Sequence, residues 1–269
     1  HIIALEKARL VPMDKLPATE GLEKPEEEAE GGAGLLLKGV SQGYLVRSLF
    51  GERRTMAFRD LNVNFWPGHI YGITGPSGCG KTSMVRSILR LLDYSSGSID
   101  LNGENLIDLK PLERGYDPPA FKPYRKKIAI VQQDSRFSFF PDLRISASLR
   151  EIHKVLEPEG QFSLEGVREL MKKIHLPEVI LESYPKSLSS GEMKRMDIVR
   201  VLDSKPEIIL LDEPFAHIDF ETRALVMKAI SDYLAESRAI LIVVTHEDFD
   251  LKYFIQTDYD FPSLVAGSV

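Results

Sequence analysis

The chain is predicted to fold as an α/β domain, a mostly parallel sheet covered by helices. Three observations predict this. Short apolar runs alternate with stretches of helical spacing. A glycine-rich loop stands between such a run and such a stretch. The composition is that of a globular chain, with 269 residues, 43% hydrophobic and 28% charged, which excludes a wholly disordered or collagen-like protein. At this length about three quarters of the unfolded surface can be buried.

In chain order, residues Glu20–Gly34 read EGLEKPEEEAEGGAG. Such an acidic stretch repels itself and lacks apolar anchors, so residues 1–34 are expected to be an N-terminal segment and flexible linker. Leu35–Val40 and Met56–Phe65 alternate in polarity and read as strands. Ile70–Thr74 is a short buried strand, and Lys81–Leu92 is helical. Lys127–Gln132, Ile208–Leu211 and Ala239–Val244 are further apolar strands; Gly191–Leu202 and Thr222–Leu234 have helical spacing. Uninterrupted apolar strands are those of a sheet buried on both faces. The stretch from about 136 to 190 reads mainly as helices and is expected to form a helical insert.

Several classes drop out. Cys79 is the only cysteine, which excludes an internal disulfide and a cysteine-cluster metal site. The net charge is -6, from 34 basic and 40 acidic residues, without the basic surplus of a dedicated nucleic-acid binder. The apolar run Ala239–Val244 falls far short of the roughly 20 residues of a membrane span. The opening HIIALEKARL lacks the basic-then-apolar order of a signal peptide. A chain soluble by itself is expected, with membrane contact only through a partner.

The chemistry concentrates at strand ends. Gly75-Pro76-Ser77-Gly78-Cys79-Gly80-Lys81-Thr82 matches GxxxxGK[ST] between a strand and a helix. Glycines let several backbone N–H groups turn inward as a nest for phosphate oxygens, and the helix points its positive end at the same place. Lys81 reaches the β- and γ-phosphates, and the Thr82 hydroxyl suits Mg²⁺. Cys79 reads as a small side chain filling space. Ile208–Leu211 ends in Asp212-Glu213, at the carboxyl end where ligands sit in open α/β sheets. Asp212 suits Mg²⁺ through its water shell, and Glu213 suits the polarisation of an attacking water. Ala239–Val244 likewise ends in Thr245-His246, which places a histidine where it can contact a γ-phosphate.

A further motif decides between families of phosphate-loop proteins. Leu188-Ser189-Ser190-Gly191-Glu192 precedes a helix just before the acidic strand. It resembles the LSGGQ signature of ABC-type ATPases. The order phosphate loop, Gln133, signature, Asp212-Glu213, Asp219, His246 matches that family over roughly residues 35–249. The resemblance implies a P-loop, RecA-like parallel-sheet core with an antiparallel β subdomain and a helical insert, the whole of residues 35–269 forming the nucleotide-binding domain. It implies ATP and Mg²⁺ bound by Gly75 through Ser83, with Gln133 sensing Mg²⁺ and the γ-phosphate. It implies Tyr44 stacked on adenine, with Phe50 a lesser candidate, Glu213 as catalytic base and His246 as switch histidine. Ser189, Gly191 and Asp219 would meet ATP bound by a second ABC domain, in a head-to-tail homo- or heterodimer around two ATP.

Ser190 and Glu192 depart from the signature, and Glu192 would oppose phosphate binding if it pointed inward. Phe215, His217 and Ile218 also depart from the family pattern after Asp-Glu-Pro. Tyr124 to Ile128, Gln133-Asp134, Phe139–Leu143 and Tyr184-Pro185 resemble the peptide and nickel importer ATPases. That implies membrane permease subunits as partners, gripped by the surface around Phe137–Leu149, and a cytoplasmic chain peripheral on the inner face of the cell membrane. Members of that group usually continue past the histidine with another strand, a glycine turn and a tail, and no such tail is evident here. The acidic N-terminal stretch suits a linker between two ABC domains, which favours the alternative, a soluble ABC ATPase that remodels or activates a protein complex.

Overall fold

The computed structural model describes residues 34–48, 51–92, 95–105 and 122–266. The expected linker before Gly34, and Phe50, lie outside the described residues.

Five strands form a parallel sheet: β3 (Ile70–Thr74), β6 (Ile128–Val131), β7 (Ile208–Asp212), β8 (Ile240–Val244) and β9 (Thr257–Asp260), in the order β6-β7-β8-β3-β9. Alternation across β6, β7 and β8 explains their apolar runs. Ile209 and Leu211 join one core cluster, while Ile208 and Leu210 join the other. The first cluster packs the sheet on α3 (Ile145–Leu156), α4 (Glu165–Lys173), α5 (Ser190–Asp203) and α6 (Phe220–Ser237). The second packs the opposite face on α1 (Lys81–Ile88) and on a separate sheet.

That separate sheet is antiparallel. It comprises β1 (Leu35–Ser48), β2 (Gly51–Phe65), β4 (Ser95–Leu101) and β5 (Glu104–Asn105), in the order β2-β1-β4-β5. Leu35, Leu37, Leu61, Val63 and Phe65 give it one buried face. The short helices α2 (Lys122–Lys127), α7 (Asp248–Tyr253) and α8 (Phe261–Val265) complete the described elements. Between Arg136 and Pro185 stand α3 and α4, with 3-10 turns at Ser135–Ser138 and Glu178–Glu182.

Two expectations need correction. Helix α1 stops at Ile88 and not at Leu92. Arg90 takes a left-handed conformation (φ 55) and the Leu91 N–H turns back to the Arg86 carbonyl, ending the helix without a glycine. Past His246 the chain does continue into a strand. β9 pairs in parallel with β3, from Tyr71 opposite Thr257 to Thr74 opposite Asp260.

Candidate functional site

Parallel pairing brings the carboxyl ends of β6, β7, β8 and β3 to one edge in that order. Each strand is followed by a singled-out residue: Gln133 after β6, Glu213 after β7, His246 after β8, and the phosphate loop after β3. The side chains meet. Gln133 Nε2 donates to Glu213 Oε2 at 3.0 Å. His246 Nδ1 lies 3.3 Å from Glu213 Oε1. Glu213 itself is left-handed (φ 47), an uncommon state for a residue with a β-carbon, and its N–H is fixed by the Val244 carbonyl at 2.9 Å. The backbone thus turns sharply at the end of β7, setting the carboxylate between glutamine and histidine.

The loop Gly75–Lys81 curls as its glycines permit. Gly75, Gly78 and Gly80 have φ of 129, 80 and 115, and a β-carbon on Gly80 would fall 2.9 Å from the Phe261 ring. No side chain caps the N-terminus of α1, so its first N–H groups face the loop. Lys81 Nζ donates to the carbonyls of Gly75 at 2.6 Å and Pro76 at 3.0 Å. Cys79 packs on the core cluster beneath, as a small filling side chain would.

The Thr82 hydroxyl stands near enough to the Asp212 carboxyl to favour its charged form. Burial pushes the Asp212 carboxyl above its ordinary range; Glu213 adds to this, while Lys194, Thr82 and Arg86 act against it. The chemistry of this pair fits Mg²⁺. Hydroxyl and carboxylate oxygens are the hard donors that ion takes, with waters and phosphate oxygens filling its other positions. Among the described residues no group of three His, Cys, Asp or Glu side chains could hold a metal.

The signature residues lie elsewhere on the chain. Ser189 caps α5, and Glu192 closes a capping box with it. Glu192 Oε2 accepts from the Ser189 N–H at 2.9 Å and from the Ser189 hydroxyl at 2.7 Å. The carboxylate is therefore turned onto its own helix cap. A β-carbon on Gly191 would sit 2.8 Å from the His217 carbonyl, so the signature abuts the segment that leads to Asp219. Asp219 caps α6 by accepting from the Thr222 N–H at 3.0 Å, which holds its carboxyl below the usual range. Tyr44 is an exposed residue of β1, paired with Thr55. Two residues further along β2, the Ala57 carbonyl approaches Gly80 of the phosphate loop.

Sequence reasoning passed over two groups that the structure brings to the site. Lys194 on α5 donates to the carbonyls of Gln132 and Gln133. Beside His246, the Thr245 hydroxyl donates to buried Asp250 at 2.8 Å, and Arg223 Nη1 lies 3.5 Å from the same carboxylate. The available signal was charged residues recurring at three-residue spacing among the apolar positions of the helix (Lys194, Asp197, Arg200).

The family model described as "ABC transporter" matches residues 58–216, more than half of the chain. The choline transport ATP-binding protein of Bacillus subtilis is 31% identical over 191 residues, which are 71% of this chain and 47% of that protein. The molybdate/tungstate import ATP-binding protein of Thermococcus kodakarensis is 32% identical over 215 residues, 79% of this chain and 57% of that one. The chain thus spans about half the length of these curated relatives. A dimeric ATP-binding cassette, solved in a post-hydrolysis state with ADP and phosphate, superposes with a TM-score of 0.69 at 28% identity, covering 82% of this chain and 91% of that one.

Proposed function

The chain belongs to the ABC transporter ATP-binding family, and on that premise we propose that it binds and hydrolyses ATP to drive a membrane permease. One observation carries the proposal: Glu213 is held between Gln133 and His246, with only β8 between its strand and the strand that leads into the phosphate loop. Backbone N–H groups of Gly75–Lys81 and the Lys81 ammonium hold the β- and γ-phosphates, with Ser83 behind Thr82. Glu213 accepts a proton from water attacking the γ-phosphorus, while the bond to the bridging oxygen breaks and ADP leaves. Gln133 and His246 fix the rotamer of that carboxylate. Mg²⁺, when bound at Thr82 and Asp212, supplies positive charge to the phosphate oxygens.

The remaining assignments follow from the same reading. Tyr44 stacks on adenine. Ser189, Gly191 and Asp219 complete the site of a second ABC domain, so two ATP join the halves head to tail. The cargo class is that of the peptide and nickel importers, supported by Tyr124 to Ile128 and Tyr184-Pro185. By name the two relatives carry other cargo, choline and molybdate or tungstate. The chain works peripherally on the cytoplasmic face of the membrane; no helix among the described residues is long and apolar enough to cross one.

The test is Glu213→Gln. The amide keeps the shape but cannot accept the proton, so hydrolysis is expected to fall by about 10²-fold or more. The ATP-bound dimer should accumulate, read by gel filtration with and without ATP. An unchanged hydrolysis rate refutes the assignment.

A further inference from the structure

Helix α5 carries a buried ammonium that the proposed chemistry does not yet use. Lys194 is 3% exposed and stands a little over one turn from the Ser189 cap. Its Nζ donates to Gln132 O at 2.7 Å and Gln133 O at 2.9 Å. Both carbonyls lie beyond Val131, the last residue of β6 paired with β7. Without the lysine these part-buried bonds would lose a charged donor that no apolar residue replaces.

The grip continues along the same face, at positions 194, 197 and 200. Asp197, fully buried, accepts from Ser138 Oγ at 2.9 Å and from Arg200 Nε at 2.8 Å. Arg200 Nη2 donates to Ile130 O at 2.7 Å. Three charged side chains of α5 therefore hold the backbone from Ile130 to Gln133 and the turn at Ser138. Gln133 is also the residue whose amide donates to Glu213. A continuous series of bonds runs from the capped end of α5, through Lys194 and Gln133, to the carboxylate of Glu213. Burial pushes the pKa of the lysine below its ordinary value, and the acids Asp197, Asp212, Glu213 and Asp134 act against that shift.

We propose that Lys194 is a positioning residue for ATP hydrolysis, tying the signature end of α5 to the Gln133–Glu213 pair so that nucleotide seated against Ser189 and Gly191 at one site sets the base at the other. This rests on the ATP-sandwich reading above. Lys194 touches neither nucleotide nor water. It fixes where Gln133 stands, and through it the direction of the Glu213 carboxylate. Small misplacement of a catalytic group costs far more in turnover than in binding.

The experiment uses the full-length protein in steady-state ATPase assays, with thermal melting as a check on folding. Lys194→Met removes both donors while keeping an extended buried side chain. It should lower kcat by about 10- to 100-fold with KM for ATP changed less than about twofold. Lys194→Gln, which retains a donor for one carbonyl, should recover part of that loss. Adding Ser189→Ala to Lys194→Met should cost no more than the worse single change, because both cut one line of coupling. Where the methionine variant does not fold, the same cycle is run with Lys194→Gln. Unchanged kcat, a loss confined to KM, equal losses for Met and Gln, or additive losses in the double variant each overturn the role. A wild-type protein without ATP turnover overturns the ATPase reading and this inference with it; an active wild type matched by Lys194→Met overturns the inference alone.

Discussion

Ser189 has one hydroxyl proton, and it goes to Glu192 Oε2 at 2.7 Å. The same oxygen accepts the Ser189 N–H, and these two bonds hold the Glu192 carboxyl below its ordinary range. A phosphate arriving at the signature must compete with a charged acceptor already in place, and such bonds are about twice as strong as neutral ones. Glu192→Gln keeps a side chain able to complete the capping box but removes the charge. It is expected to cost about 1 kcal/mol of stability and to tighten the ATP-dependent dimer roughly fivefold. Analytical ultracentrifugation at graded ATP reads the second effect, and an unchanged or weaker dimer refutes it. The spacing Ser-x-x-Glu was visible in the sequence, yet as a departure from a signature it left open whether the acid faced inward. A cap and a ligand site share the same atoms, and only geometry separates them.

Strands differ in how plainly residues reveal them, for a physical reason. β7 and β8 are buried on both faces, so they are unbroken apolar runs of Ile, Leu and Val. The edge strand β9 reads Thr-Asp-Tyr-Asp, with alternate residues exposed, and β4 opens Ser-Ser-Gly-Ser. Such segments become strands through a neighbour's free hydrogen-bonding edge, not through their own composition. His69 marks where β9 is fastened. Its Nε2 lies 2.9 Å from Thr257 Oγ1, and its buried Nδ1 has no hydrogen-bond partner among the described residues. Burial lowers its pKa from 6.5, so the unfolded chain binds the proton more readily than the folded one. This contribution to stability is complete above 6.5 and is lost as pH falls from 6.5 toward the lowered folded value. His69→Gln, which keeps a donor for Thr257 and does not titrate, should flatten that limb of a melting-temperature profile between about pH 7 and pH 5. Parallel profiles for the two proteins refute the assignment.

At the scale of the molecule, the remaining question is where load meets motor. The turn after Gln133 is anchored at two adjacent residues: Ser138 bonds Asp197, and Phe139 is buried in the core. On either side of this anchored pair, Phe137 is 79% exposed and Phe140 47% exposed. On the proposed reading, these two aromatic rings, held in water by an ordered turn, are the surface a permease would grip. The turn is fixed to α5 and follows Gln133 closely, so on that reading a push on these rings would reach the nucleotide edge through bonded backbone. The double substitution Phe137→Ser with Phe140→Ser leaves the core contacts in place. ATP hydrolysis by the protein alone is therefore expected to stay within about twofold, because no group bonded to Glu213 changes. Co-purification with a permease and stimulation of hydrolysis by it should both be lost, typically by more than about 2 kcal/mol of binding when aromatic anchors are removed. Retained stimulation would place the docking surface elsewhere. Loss of a soluble complex, with no permease found in the wild type, would give the same lever a different load.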